Sequence, residues 1–138
     1  MKKIICAVFA LLTICAGCNN SNSNKEEAKS TDTVAAITFD SKNYQFGEIV
    51  KGEIVEHTYT FTNTGTIDLQ IQEVDPSCGC TTPEWTQEPI KPGQKGKIRV
   101  KFDTQHQSYG NKQKQVSVYS NTIPSRNILQ FSAVVVEK

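Results

Sequence analysis

The sequence predicts an all-β fold, an antiparallel immunoglobulin-like β-sandwich of about seven strands. Three observations carry that expectation. Apolar and polar residues alternate with a period of two along several stretches between Ile37 and Val136. Turn-forming residues interrupt those stretches at short intervals. No stretch of useful length has the 3.6-residue apolar period of an amphipathic helix.

The elements follow in chain order. Ile37, Phe39, Tyr44 and Phe46 supply one or two opening strands. Val55, His57, Tyr59 and Phe61 alternate with Glu56, Thr58, Thr60 and Thr62. His57 therefore falls on an apolar face and reads as a packed core histidine. Asn63-Thr64-Gly65 breaks the run. Ile67, Leu69 and Ile71 form the next alternating set, and Pro92-Gly93 marks a turn. Ile98, Val100 and Phe102 alternate with Lys97, Arg99, Lys101 and Asp103. Val116 and Val118 give a short strand that ends at Ser120-Asn121, and Leu129, Phe131, Ala133 and Val135 close the domain. Trp85 lies in a loop-like stretch and is not an obvious core tryptophan. The lysines at 97, 101, 112 and 114, with Arg99, read as solvated strand faces that discourage edge aggregation. Tyr44, Tyr59, Tyr109 and Tyr119 occur singly, as core or sheet-face residues do.

The N-terminus has a different grammar. Lys2 and Lys3 precede an apolar run from Ile4 to Ile14, which has the length of a signal h-region and is too short to span a bilayer. Cys15-Ala16-Gly17-Cys18 follows and resembles the lipobox of bacterial lipoproteins, in which the last Cys is acylated and becomes the mature N-terminus. The usual Leu of the first lipobox position is replaced by Cys15. Asn19 to Thr33 holds one Ala and no other apolar residue, too little to offset its ordering entropy. The expected organisation is a signal peptide over 1–17, a lipidated Cys18 with a flexible tether over 18–33, and one sandwich domain over 34–138.

Charge excludes one class of partner. The 138 residues carry 15 basic and 14 acidic side chains. Removing Lys2 and Lys3 with the signal leaves 13 against 14, a net charge of −1, with no basic excess to attract nucleic acid. Of five cysteines, Cys6 and Cys15 leave with the signal and Cys18 is taken by lipid, so only Cys78 and Cys80 stay as thiols in the folded part.

Cys78-Gly79-Cys80 is the one chemical motif. A disulfide is the expectation outside the cytoplasm, with Gly79 allowing the bend that bridges an i,i+2 pair. The closed loop is so short that it contributes little loop entropy. A redox-active pair and a soft-metal site for Cu(I) or Zn stay open as alternatives. The histidines are His57 and His106, and nothing in the sequence brings either to the cysteines; His106 reads as loop surface. No nucleophile elbow, phosphate loop or His-Glu zinc signature is present in the sequence.

Five segments taken in order carry a resemblance. They are Phe46-Gly47-Glu48-Ile49, Glu56-His57-Thr58-Tyr59-Thr60-Phe61-Thr62-Asn63-Thr64-Gly65, Ser77-Cys78-Gly79-Cys80-Thr81-Thr82-Pro83-Glu84-Trp85, Ile90-Lys91-Pro92-Gly93 and Val118-Tyr119-Ser120-Asn121. Together they resemble the bacterial domain-of-unknown-function family 1573, over nearly all of Ile37 to Val136. The resemblance implies an Ig-like sandwich related to the PapD and major-sperm-protein group, and no activity.

The functional expectation is a non-enzymatic binding or scaffolding module of the cell envelope. It is held on a membrane, the outer one, by lipid on Cys18 and takes an envelope partner by strand addition. The alternative is a thiol-disulfide or soft-metal protein using Cys78 and Cys80. No catalytic residue, cofactor, metal-ligand set or small-molecule substrate is assigned. Deleting residues 19–33 is expected to leave the thermal midpoint nearly unchanged, because that stretch has nothing to bury. A large loss of stability in that deletion would contradict the reading of a tether.

Overall fold

Alternation builds eight strands within 33–138, the residues that this computed structural model describes. They are β1 (Ile37–Phe39), β2 (Asn43–Val50), β3 (Ile54–Asn63), β4 (Ile71–Pro76), β5 (Thr81–Trp85), β6 (Lys95–Asp103), β7 (Gly110–Ser120) and β8 (Arg126–Val136). One sheet has the order β1-β3-β6-β5 and the other β2-β8-β7-β4. The leader, Cys18 and all of the tether except Thr33 lie outside the described residues.

The sandwich expected from the sequence is the sandwich found, with eight strands in place of about seven. The added strand is β5, which contains Pro83. Proline donates no ladder hydrogen bond and is tolerated at a sheet edge, and β5 is an edge strand. Trp85 accordingly ends a strand, where it is half-buried against the core, and is not in a loop. Ile67 and Leu69 lie outside regular strands: Leu69 makes only an isolated bridge to Ile90, and β4 starts at Ile71. The short strand expected around Val116 and Val118 is the C-terminal part of an 11-residue β7.

The pairing is antiparallel except between β2 and β8, which run parallel. The cause is the crossing at Asp40–Lys42. There the chain passes from one sheet to the other without reversing, so β2 meets β8 in the same direction.

The core is the set of inward residues of both sheets. Tyr59, Phe61, Ile98, Val100 and Phe102 come from one side and Val116, Val118, Leu129 and Phe131 from the other, all essentially without exposure. The Phe102 and Phe131 rings meet across the sheets at 5.3 Å between centroids. Tyr59 also donates its hydroxyl to the Gln130 carbonyl of the opposite sheet at 2.7 Å. Gly96 is opposite Phe61 in the β3–β6 register, and a Cβ there would collide with the Phe61 ring.

A polar knot closes one end of the sandwich. Asn63 is fully buried at the end of β3. Its Nδ2 donates to the Ile67 carbonyl at 2.7 Å and the Ile90 carbonyl at 2.8 Å, and its Oδ1 accepts from the Gly65 amide at 2.9 Å. Its backbone bonds to Gln94 and Gly93. Asn63 thus satisfies the Ile67 carbonyl, while the Leu69 amide and carbonyl both pair with Ile90, and the stretch is held without being a regular strand. The chain enters the domain at this end, where the Ala35 segment bridges Thr122 and the Val34 carbonyl accepts from the Thr66 amide.

Outward faces are polar, as the sequence implies. Glu84 on β5 is paired with Arg99 on β6 and accepts from the Lys101 ammonium at 3.1 Å. His57 faces inward but is only half-buried. It stacks on Tyr44 of the other sheet, with centroids 3.6 Å apart and planes 11° from parallel. Tyr44 is therefore not an isolated tyrosine.

Two predictions follow from this packing. Asn63→Ala is expected to destabilise the domain by about 2–4 kcal/mol, since it strands the Ile67 carbonyl and the Gly65 amide and takes one of two bonds from the Ile90 carbonyl; chemical denaturation measures it, and a cost under about 0.5 kcal/mol would contradict the knot. The second concerns pH. Burial holds the His57 imidazole below its ordinary value of 6.5, and the Tyr44, Phe46 and Tyr59 rings around it carry no charge at that pH. The unfolded chain then takes up the proton first as pH falls, so stability drops below pH 6.5 and levels off once the folded state also protonates. Glu84, held low first by its hydrogen bond from Arg99, adds a loss only at more acidic pH. His57→Phe should flatten the thermal midpoint between about pH 7 and about pH 5. An unchanged slope would contradict the assignment.

Candidate functional site

The Cys-Gly-Cys loop is the crossover between the two sheets. β4 is the edge of one sheet and β5 the edge of the other, and residues 77–80 join them. Backbone bonds fix both ends of the loop. The Ser77 amide donates to the Gln115 carbonyl at 2.8 Å, and the Gln115 amide donates back to Ser77 Oγ at 3.1 Å. The Thr81 amide closes a turn onto the Cys78 carbonyl at 3.2 Å, and the Asp103 amide reaches the Cys80 carbonyl at 2.9 Å.

Within this frame Cys78 and Cys80 are joined through their Sγ atoms, with Cα atoms 5.2 Å apart, inside the ordinary span of a disulfide. Both residues are half-buried. The Thr81 hydroxyl, on a buried residue, lies 3.6 Å from Cys78 Sγ and 4.0 Å from Cys80 Sγ. The turn does not demand glycine at its centre. Gly79 is not among the positive-φ glycines, and a Cβ built on it would meet nothing within 4 Å. Glycine is expected from the sequence to allow the bend here, and the bend that forms is one that other residues could also adopt.

The structure brings one histidine to the pair. Gly79, Cys80, Asp103, His106 and Gln107 line a cavity of about 270 Å³. His106 is exposed in the β6–β7 loop, as the sequence implies, but that loop folds back toward Cys80. His57 belongs elsewhere, in the Tyr44 stack. No group of three or more His, Cys, Asp or Glu side chains among the described residues is arranged to hold a metal ion. What could have pointed to His106 is the register: Asp103 bonds to Cys80, and His106 follows three residues later.

A second concavity lies on the outer face of β3, β6 and β5. It has a volume of about 710 Å³ and is lined by Thr58, Thr60, Trp85, Lys97 and Arg99 among others. Trp85 Nε1 is buried beside it without a hydrogen-bond partner among the described residues. Its walls are chiefly strand-face polar groups and salt-bridged charges.

Comparison with known structures places the fold. A protein of unknown function from Porphyromonas gingivalis W83 superposes with a TM-score of 0.68 at 17% identity, over 80% of this chain and 51% of that one. This chain thus spans about half the length of that protein. PapD-like domain 7 of human CEP192, an ASH domain, gives a TM-score of 0.60 at 13% identity, over 77% of this chain and 89% of that one. The Vibrio cholerae VesB protease gives 0.60 at 16% identity over 72% of this chain, but only 32% of the protease. At these identities the likeness is one of fold, an Ig-like, PapD-like sandwich. No match to the sequence was found among curated proteins. The family model described as "Protein of unknown function (DUF1573)" matches residues 37–135, and the chain belongs to that family.

Proposed function

We propose that this protein is a lipid-anchored cell-envelope protein whose Ig-like domain is a non-catalytic binding or scaffolding module. Its N-terminus supports the anchor: the apolar run ends in Ala16-Gly17-Cys18 and is followed by a polar stretch. Outer-membrane placement is part of the same reading.

The observation that carries the binding role is the β2 edge. β2 has eight residues, against three for β1, six for β4 and five for β5, so it offers the longest unpaired strand of the four edges. β4 ends in Pro76 and β5 has Pro83 at its centre, which disfavours a further strand on either. A register shift between Gln45 and Glu48 divides β2, so a partner would pair over Asn43–Gln45 and Glu48–Val50 separately. Recognition would come from main-chain hydrogen bonds, with specificity from alternate side chains.

Two measurements test the two halves. Intact-mass analysis of the membrane fraction should find a chain that starts at Cys18 and carries acyl mass, while Cys18→Ser stays unacylated. An unmodified wild-type chain in the soluble fraction would contradict the anchor. A photo-crosslinking residue at Gln45 on β2 should give one discrete adduct in cells, and the same residue at Glu73 on β4 none. Equal crosslinking at both positions, or none at Gln45, would contradict strand addition at β2.

A further inference from the structure

We propose that the Cys78–Cys80 disulfide, with Thr81 and His106, is a thiol–disulfide exchange site whose substrate is a dithiol protein of the envelope. The proposal rests on the cell-envelope placement proposed above, but neither on acylation of Cys18 nor on the β2 edge.

The bridge is not needed as a staple. It closes a loop of sequence separation 2, which has almost no chain entropy to remove. The turn is already fixed by the backbone bonds of Ser77, Thr81 and Asp103. The sulfurs are instead placed for chemistry. Cys80 opens on a cavity that also holds His106 and Asp103. Gly79 keeps that side clear, although neither its φ nor its surroundings require glycine. Ile54, opposite Asp103 in the β3–β6 register, is 65% exposed and gives this end an apolar residue for a protein partner to cover. The end is also free of the chain's own entry. Residues 34–36 meet the domain beside Asn63 and Thr122, at the far end of β3 from Ile54.

The geometry assigns the two sulfurs different parts. Cys80, not Cys78, lines the cavity, and its Sγ is the atom attacked. Cys78 Sγ is nearer the Thr81 hydroxyl and is the leaving group. His106 takes the proton of an incoming thiol. The resulting thiolate attacks Cys80 Sγ, a bond forms between partner sulfur and Cys80, and the Cys78–Cys80 bond breaks. Its electron pair goes to Cys78 Sγ, where the Thr81 hydroxyl donates a hydrogen bond to the new thiolate. The partner's second thiol gives its proton to the Cys78 thiolate and attacks the partner sulfur of the mixed disulfide, releasing Cys80 as a thiolate, which takes the first proton back from His106. The partner has lost two electrons and two protons and carries a disulfide. Cys78 and Cys80 have gained both and end as thiols. The reverse sequence reoxidises the pair from an oxidised partner.

The test uses the full chain in detergent and a reduced thioredoxin-fold protein whose resolving Cys is replaced by Ser. That probe stops the reaction at the mixed disulfide. Peptide mapping should place the adduct on Cys80. His106→Gln should slow adduct formation about tenfold and remove a limb of its pH profile, with the thermal midpoint unmoved. Thr81→Val should slow it comparably, and Gly79→Leu should block it by filling the approach. An adduct on Cys78, no adduct at all, or a His106→Gln variant with the wild-type rate and pH profile would overturn the proposal. So would retention of one zinc per reduced chain, which would make the pair a metal site.

Discussion

The Phe102 and Phe131 rings touch across the middle of the domain, one from each sheet, and the rest of the structure depends on that closure. Each sheet has one apolar face that is unfavourable in water, and only the other sheet covers it. Phe61 and Phe39 extend the contact on one side, and Phe46 reaches Phe131 on another. Phe61, Phe102 and Phe131 have almost no exposure, so each contributes the full burial of an aromatic side chain, about 2–3 kcal/mol. The strict period of two follows from this, because a slip of one residue would turn an entire apolar set outward.

Closure also decides where polar chemistry can sit. The interior admits polar groups only when they are bonded, as the Tyr59 hydroxyl and the Asn63 side chain are. Other options are confined to edges and ends. The end where the chain enters is filled by the Asn63 knot. The other end carries the crossover from β4 to β5, and there Cys80, bridged to Cys78, shares a cavity with His106. The sandwich holds this loop by its two backbone anchors, with both cysteines half-buried and Cys80 against the margin of the core.

The fold was legible because the residues that make it are locally patterned. β3, β6 and β8 announce themselves through Val55 to Phe61, Ile98 to Phe102 and Leu129 to Val135. β5 was not legible: Pro83 and the polar Thr82 and Glu84 read as loop, and only pairing to β6 makes the segment a strand. Ile67 and Leu69 misled in the opposite direction. Their alternation is real, but the backbone there is satisfied by the Asn63 side chain at Ile67 and by a single bridge from Leu69 to Ile90 in place of a ladder. The cysteine pair was plain as a motif. Its neighbour His106 was not, because 26 positions separate His106 from Cys80 and only the β6–β7 loop brings them to one cavity. Sequence spacing carries periodicity well and long-range juxtaposition hardly at all.

The sandwich stands on its inter-sheet core, and the cysteine loop is a local chemical element carried on it. Amide chemical shifts of the protein recorded before and after reduction separate the two. Reduction should move signals around residues 77–81 and 103–107 and leave those of Tyr59, Val100, Val118 and Leu129 in place. Loss of dispersed core signals on reduction would contradict it, since the bridge would then be holding the two sheets together.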